Sequence, residues 1–65
     1  MSWHYQIRRR KTTEGWWYEI VEAYGKPFGE TIEGIAPGSD TRRGLIQMLE
    51  MMLNDARKYR TITGD

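Results

Sequence analysis

Residues 3–24 read WHYQIRRRKTTEGWWYEIVEAY, and the way the two halves of this stretch pair decides the fold. In the first half Trp3, Tyr5 and Ile7 alternate with His4, Gln6 and Arg8, the period of a half-buried strand. The second half, Trp16 to Tyr24, is rich in aromatic and β-branched residues. It alternates Tyr18, Ile20, Glu22 and Tyr24 against Trp17, Glu19, Val21 and Ala23. Between them Thr12-Thr13-Glu14-Gly15 ends in glycine and fits a hairpin loop, whose closure pairs Lys11 with Trp16. The register then propagates along both strands: Arg10 faces Trp17, Arg9 Tyr18, Arg8 Glu19, Ile7 Ile20, Tyr5 Glu22 and Trp3 Tyr24.

Downstream, Glu30-Thr31-Ile32-Glu33-Gly34-Ile35-Ala36 is a weaker strand candidate, stopped by Pro37-Gly38, with Gly34 marking a bulge or a close backbone approach. Ser39, Asp40 and Thr41 are good helix caps, and Leu45, Met48, Leu49, Met52, Leu53 and Ala56 recur behind them at helical spacing. With Ile46 and Tyr59 they form one broad apolar arc, opposed by Gln47, Glu50, Asn54, Arg57 and Lys58. The sequence thus predicts one α+β domain spanning 1–65, with strands at about 3–11, 16–24 and 30–36, a helix at about 41–59 and a frayed tail at 60–65. The expected architecture is a three-stranded antiparallel meander, order 1-2-3, with a single C-terminal amphipathic helix packed on one face. That helix is expected to cover Trp3, Tyr5, Ile7, Tyr18 and Ile20. The face left open would carry His4, Gln6, Arg8, Arg10, Trp17, Glu19, Val21 and Ala23.

A chain of 65 residues has room for a thin core only, and eight aromatic residues must supply much of it. With no cysteine, neither a disulfide nor a thiolate metal site supplements that core, and a reducing compartment is expected. Self-association is the other route by which a short chain gains buried surface. No long apolar run or leader-like opening is present, so the expectation is a soluble cytoplasmic protein with no membrane partner. Ten basic against nine acidic side chains give a formal net charge of +1, far from the balance of a dedicated nucleic-acid binder.

Catalysis finds little support. His4 is the lone histidine, and the GxxxxGK type of phosphate loop is missing, so no enzyme activity, cofactor, metal or small-molecule substrate is expected. The candidate site is the open sheet face: Arg8, Arg10, Trp17, Glu19 and Val21, with Trp17 as anchor for a protein partner or a second copy. Three secondary candidates lie on the helix. Arg42 and Arg43 occupy its first turn, where the dipole disfavours cations, and Met51 borders the apolar arc. Nucleic acid is the second reading, with Arg8, Arg10 and Lys11 on phosphates or base edges. Arg9 over Tyr18 and Arg10 over Trp17 are equally explained as cation–π pairs internal to the hairpin.

The basic first strand YQIRRRKT and the helix entry SDTRRGL loosely resemble the amino-terminal arm-binding domains of phage integrases and the related plant ethylene-response-type DNA-binding domains. That resemblance implies three strands and a helix, with Arg8, Arg10 and Trp17 on the DNA-facing sheet. Glu19 and Glu33 interrupt the patch it would need. The Tyr-x-Ile strand, the aromatic second strand and the helix LIQMLEMML resemble more closely a group of small bacterial and phage βββα proteins of uncharacterised function. This second resemblance implies the fold and a phage or mobile-element origin, and carries no activity.

Overall fold

In the computed structural model, the described residues are 3–25, 29–31 and 33–64. Strand β1 spans Trp3–Thr12 and strand β2 Gly15–Tyr24, followed by helix α1, Arg42–Lys58, and a short strand β3, Ile62–Gly64. The chain is therefore α+β, with a three-stranded sheet and one helix. The β1–β2 pairing is antiparallel in the register expected from the turn, with Ile7 opposite Ile20 and Lys11 opposite Trp16. The ladder runs one pair further than expected, to Thr12 opposite Gly15. Gly15 adopts φ 123°, a conformation only glycine enters without strain, while the Thr12 hydroxyl donates to Gly15 O (2.8 Å) and accepts from the Glu14 N–H (3.2 Å).

The third strand departs from expectation. The sheet order is β2-β1-β3, and β3 pairs parallel to β1, with Arg8 opposite Ile62 and Arg10 opposite Gly64. The sheet is thus mixed, not a 1-2-3 meander, and residues expected to be a frayed tail supply its third strand. The segment expected as that strand, 30–36, does follow the outer edge of β2, but with a single bridge, Glu30 to Ala23. Its bonds are discontinuous: the Tyr24 N–H donates to Gly29 O (2.7 Å), the Thr31 N–H to Glu22 O (3.0 Å) and the Ile35 N–H to Ile20 O (2.7 Å). The Thr31 carbonyl is drawn out of line by the Arg8 guanidinium, which donates to it at 2.7 Å. The Glu22 N–H meets the Thr31 hydroxyl (3.2 Å) in place of that carbonyl, so the ladder is interrupted there. Ile32 of that segment, and Asp65 of the tail, lie outside the described residues.

The helix is capped by Thr41, whose hydroxyl accepts from the Gly44 N–H (3.0 Å), and ends with Arg57 and Lys58 in its last turn, where cations suit the dipole. It packs through Met52, which is buried, flanked by half-buried Leu45, Met48, Asp55 and Ala56. Ile46, Leu49 and Leu53, the other flank of the predicted arc, stay exposed. At its end Tyr59 stacks on His4 (3.6 Å between ring centres, 18° between planes), and Gln6 Nε2 donates to Arg60 O at 2.8 Å. The helix end is fixed to the sheet edge as well, because the Tyr5 N–H donates to the Asp55 carboxylate (2.9 Å). Among the described residues no helix is long and apolar enough to cross a membrane.

Candidate functional site

The helix end and the loop cover the face expected to be open, and of the face expected to be covered Tyr5 is buried and Ile7 and Ile20 half-buried, while Trp3 and Tyr18 stay exposed. Helix end and loop share the work: Tyr59 lies on His4 and Arg60 beside Gln6, while Thr31 meets Arg8 and Gly34 approaches Glu19. Val21, offered as a contact residue, is 0 % exposed and belongs to the core with Tyr5, Ala23 and Met52. Glu19 and Arg8 are likewise withdrawn, their side chains 8 % and 11 % exposed. The Arg8 Nε and Nη2 both donate to Glu19 Oε2 (3.1 and 2.8 Å), and Nη1 takes the Thr31 carbonyl. Such a cluster is costly to leave half made, since removing one partner strands the other charge in a low-dielectric setting. Gly34 is needed here, because a Cβ at that position would sit 2.9 Å from Glu19 Oε1. These three residues hold the fold and are not available to a partner.

Arg10 is intermediate. Its Nη2 lies 3.5 Å from Glu19 Oε1, its side chain is half-exposed, and its Nε is enclosed with no hydrogen-bond partner among the described residues. Trp17, directly across from it, is 58 % exposed, as expected of an anchor. The neighbours of Trp17 complete the patch: Tyr18, expected under the helix, and Trp16, on the same face, are 56 % and 46 % exposed. The cation–π contacts also move. Arg9 lies over Trp16 (4.5 Å) together with Lys11 (5.2 Å), and the expected placements of Arg9 on Tyr18 and Arg10 on Trp17 are replaced by this double stack. Arg9 Nε further donates to the Thr63 hydroxyl (3.2 Å), tying β3 to the patch. Beside it an open groove of about 440 Å³ is lined by Ile7, Tyr18, Glu19, Ile20 and Thr61.

The contacts of the helix end and the loop fall on His4, Tyr5, Gln6, Arg8 and Glu19, and the aromatic end beside the turn stays exposed. Arg42, Arg43 and Met51 are exposed on the helix, and its first turn holds no acidic residue to offset the two cations. They are set apart from the aromatic end in sequence. His4 is held between Tyr59 and Gln6 (3.0 Å from Nε2 to Oε1), a structural position.

Two tyrosines have shifted acidities. Burial raises the Tyr5 hydroxyl above its ordinary value, helped by the Glu22 and Asp55 charges. Tyr24 is raised by the hydrogen bond it donates to Glu22 Oε1 (2.6 Å), then by desolvation and by the charge of Glu22. Both effects favour the protonated hydroxyl, and that of Tyr24 donates to Glu22.

The surface as a whole is larger than the mass warrants. The chain exposes 5376 Å², roughly 1000 Å² above the scaling value for a folded monomer of 7.7 kDa. Its radius of gyration is 12.5 Å, against about 10.7 Å for a compact chain of this length, and its extents of 36 × 30 × 20 Å describe a slab. Compared with known proteins, the chain matches no family model, no curated protein and no solved structure.

Proposed function

We propose that this chain is a non-catalytic binding module whose partner is a protein, engaged through the aromatic end of the hairpin. The observation that carries the reading is the run Trp16-Trp17-Tyr18, three consecutive large aromatics on both faces of one strand, each about half exposed. Aromatic residues with a neighbouring arginine are the usual composition of a protein-binding centre. The face differs from that expected from sequence, since Arg8, Glu19 and Val21 are enclosed, but Trp17 remains its centre and Arg10 its rim.

Nucleic acid is the second reading, favoured by one observation: Arg9 and Lys11 cluster around Trp16 beside Tyr18, cations next to rings on which a base can stack. Against it, both cations are already engaged with Trp16, Arg8 is paired with Glu19, and the chain carries a net charge of only +1.

Retention on immobilised chain tests the choice, comparing wild type with the triple variant Trp16→Ser, Trp17→Ser, Tyr18→Ser. Proteins, second copies of the chain included, should bind wild type and be lost from the variant, while duplex DNA binds neither at physiological salt. Proteins retained equally by both would remove the aromatic end as the site. Mixed-sequence DNA bound below about micromolar, with a salt slope that flattens by about 2 in Arg9→Ala, Lys11→Ala, would replace the protein reading by the nucleic-acid one.

A further inference from the structure

We propose that two copies of the chain join edge to edge along β2, antiparallel across a two-fold axis at Trp17, so that two three-stranded sheets become one of six strands. This rests on the reading of the aromatic end as a protein-binding site and names the partner as a second copy.

The argument starts from the backbone. Ile20, Glu22 and Tyr24 turn their peptide groups outward from β2, where Ile35 takes the Ile20 carbonyl, Thr31 both groups of Glu22 and Gly29 the Tyr24 N–H. Strand alternation turns the peptide groups of Trp16 and Tyr18 the same way. Among the described residues nothing meets them, so each presents an unpaired N–H and an unpaired C=O along an open edge. Edges of this kind are ordinarily blunted by proline, lysine, a bulge or a covering loop. Here Gly15 to Glu19 contains neither proline nor lysine, and the covering loop stops at Ile35.

The register follows from what is already used. Ile20 O accepts from the Ile35 N–H, which closes the edge on one side, and Thr13–Glu14 form the turn that closes it on the other. Two outward-facing residues remain. Antiparallel pairing of two such edges satisfies all their peptide groups in one register alone, Trp16 opposite Tyr18 of the second copy and Tyr18 opposite its Trp16, with four hydrogen bonds. Shifting by two residues either way meets Ile20 or the turn. In this register Trp17 lies directly opposite Trp17 of the second copy, Trp16 and Tyr18 form two cross-strand aromatic pairs on the other face, and Gly15 stands opposite Glu19, so no like charges oppose each other.

A second copy fits better than a foreign strand because the edge is self-complementary about Trp17, as an isologous two-fold contact requires. The groove of about 310 Å³ lined by Trp17, Tyr18, Glu19, Ile20, Gly34, Ile35 and Ala36 runs alongside, where the turn of the incoming hairpin arrives.

The test combines light scattering with amide hydrogen exchange by NMR, from micromolar to millimolar chain. The expected result is a mass rising from 7.7 kDa to its double, with exchange at the Trp16 and Tyr18 amides slowing by ~10-fold or more as dimer forms. The Trp17 amide, which faces β1, stays protected throughout. Tyr18→Pro deletes an outward N–H that no intramolecular bond uses and should leave a folded monomer. Should that variant fail to fold, Trp17→Cys serves instead: the chain has no cysteine of its own. Residues facing each other in a non-hydrogen-bonded pair lie about 4.5 Å apart at Cα, within disulfide reach, so oxidation should give a covalent dimer where Tyr18→Cys gives none. A dimer with freely exchanging Trp16 and Tyr18 amides overturns the edge pairing and leaves the aromatic end as a protein site. A monomer at millimolar concentration overturns self-pairing altogether, whereas failure of the protein reading itself shows separately, as DNA retention.

Discussion

At the strand-end half of the hairpin, Tyr59 stacks on His4, the Asp55 carboxylate holds the Tyr5 N–H and Tyr5, Val21 and Ala23 are buried; at the turn half, Trp16, Trp17 and Tyr18 stand half exposed. Residue type does not separate the two ends, since the larger hydrophobic side chains sit at the exposed one. What separates them is where helix and loop make contact. The helix end meets the strand ends, Thr31 meets Arg8 and Gly34 approaches Glu19, and the loop goes on as far as the groove that Ile35 and Ala36 share with Trp17 and Tyr18. The covered half therefore serves the fold, and the other half is available to a partner.

The sharpest way to break this division is Glu19→Ala, at the boundary between the halves. It should cost about 3–5 kcal/mol in urea unfolding by removing the enclosed carboxylate that takes both Arg8 Nε and Nη2. A loss under ~1 kcal/mol, the scale of an exposed pair, would mean the cluster is open to water and the boundary misplaced. Next comes Met52→Ala, at the buried centre of the helix face, expected to lose about 2–5 kcal/mol. By contrast Trp17→Ala should change monomer stability by no more than ~0.5 kcal/mol while weakening association by about 2 kcal/mol. Equal effects of Met52→Ala and Trp17→Ala on unfolding would erase the comparison.

Thr41→Ala removes the helix cap and should cost about 1 kcal/mol, leaving both halves of the sheet unchanged. The smallest effect is alkaline. Because burial raises the Tyr5 hydroxyl above 10.0 in the folded chain, its contribution is fully present below the unfolded value and is lost as pH rises through the folded one. Unfolding measured from pH 9 upward should show stability falling above about pH 10, with a shallower decline in Tyr5→Phe. An unchanged profile in that variant would assign the decline to Tyr24, which is shifted in the same direction.

The β1–β2 register was legible because two local signals agree: alternation in Trp3-Tyr5-Ile7 and a glycine-ended turn that fixes which residues meet. The helix and its Thr41 cap were legible for the same kind of reason, a strong period behind a good capping residue. The third strand was not. Ile62–Gly64 is three residues without a period, and it pairs only because the helix delivers it to the free edge of β1. Half of the candidate site was readable, Trp17 and Arg10, while Trp16 and Tyr18 were hidden by the assumption that the helix covers their face. Both faces of β2 are partly apolar, so sequence alone supplies no preference between them.

Local sequence determined the hairpin, its register and the amphipathic helix, since each depends on neighbours within a few residues or on one turn. Tertiary structure decided which face is covered, which edge of β1 receives β3, and that Arg8 and Glu19 are withdrawn while Trp16, Trp17 and Tyr18 stay out. Those choices depend on which long-range hydrogen bonds, Asp55 to Tyr5 and Thr31 to Arg8, hold helix and loop against the sheet, and no periodicity records them.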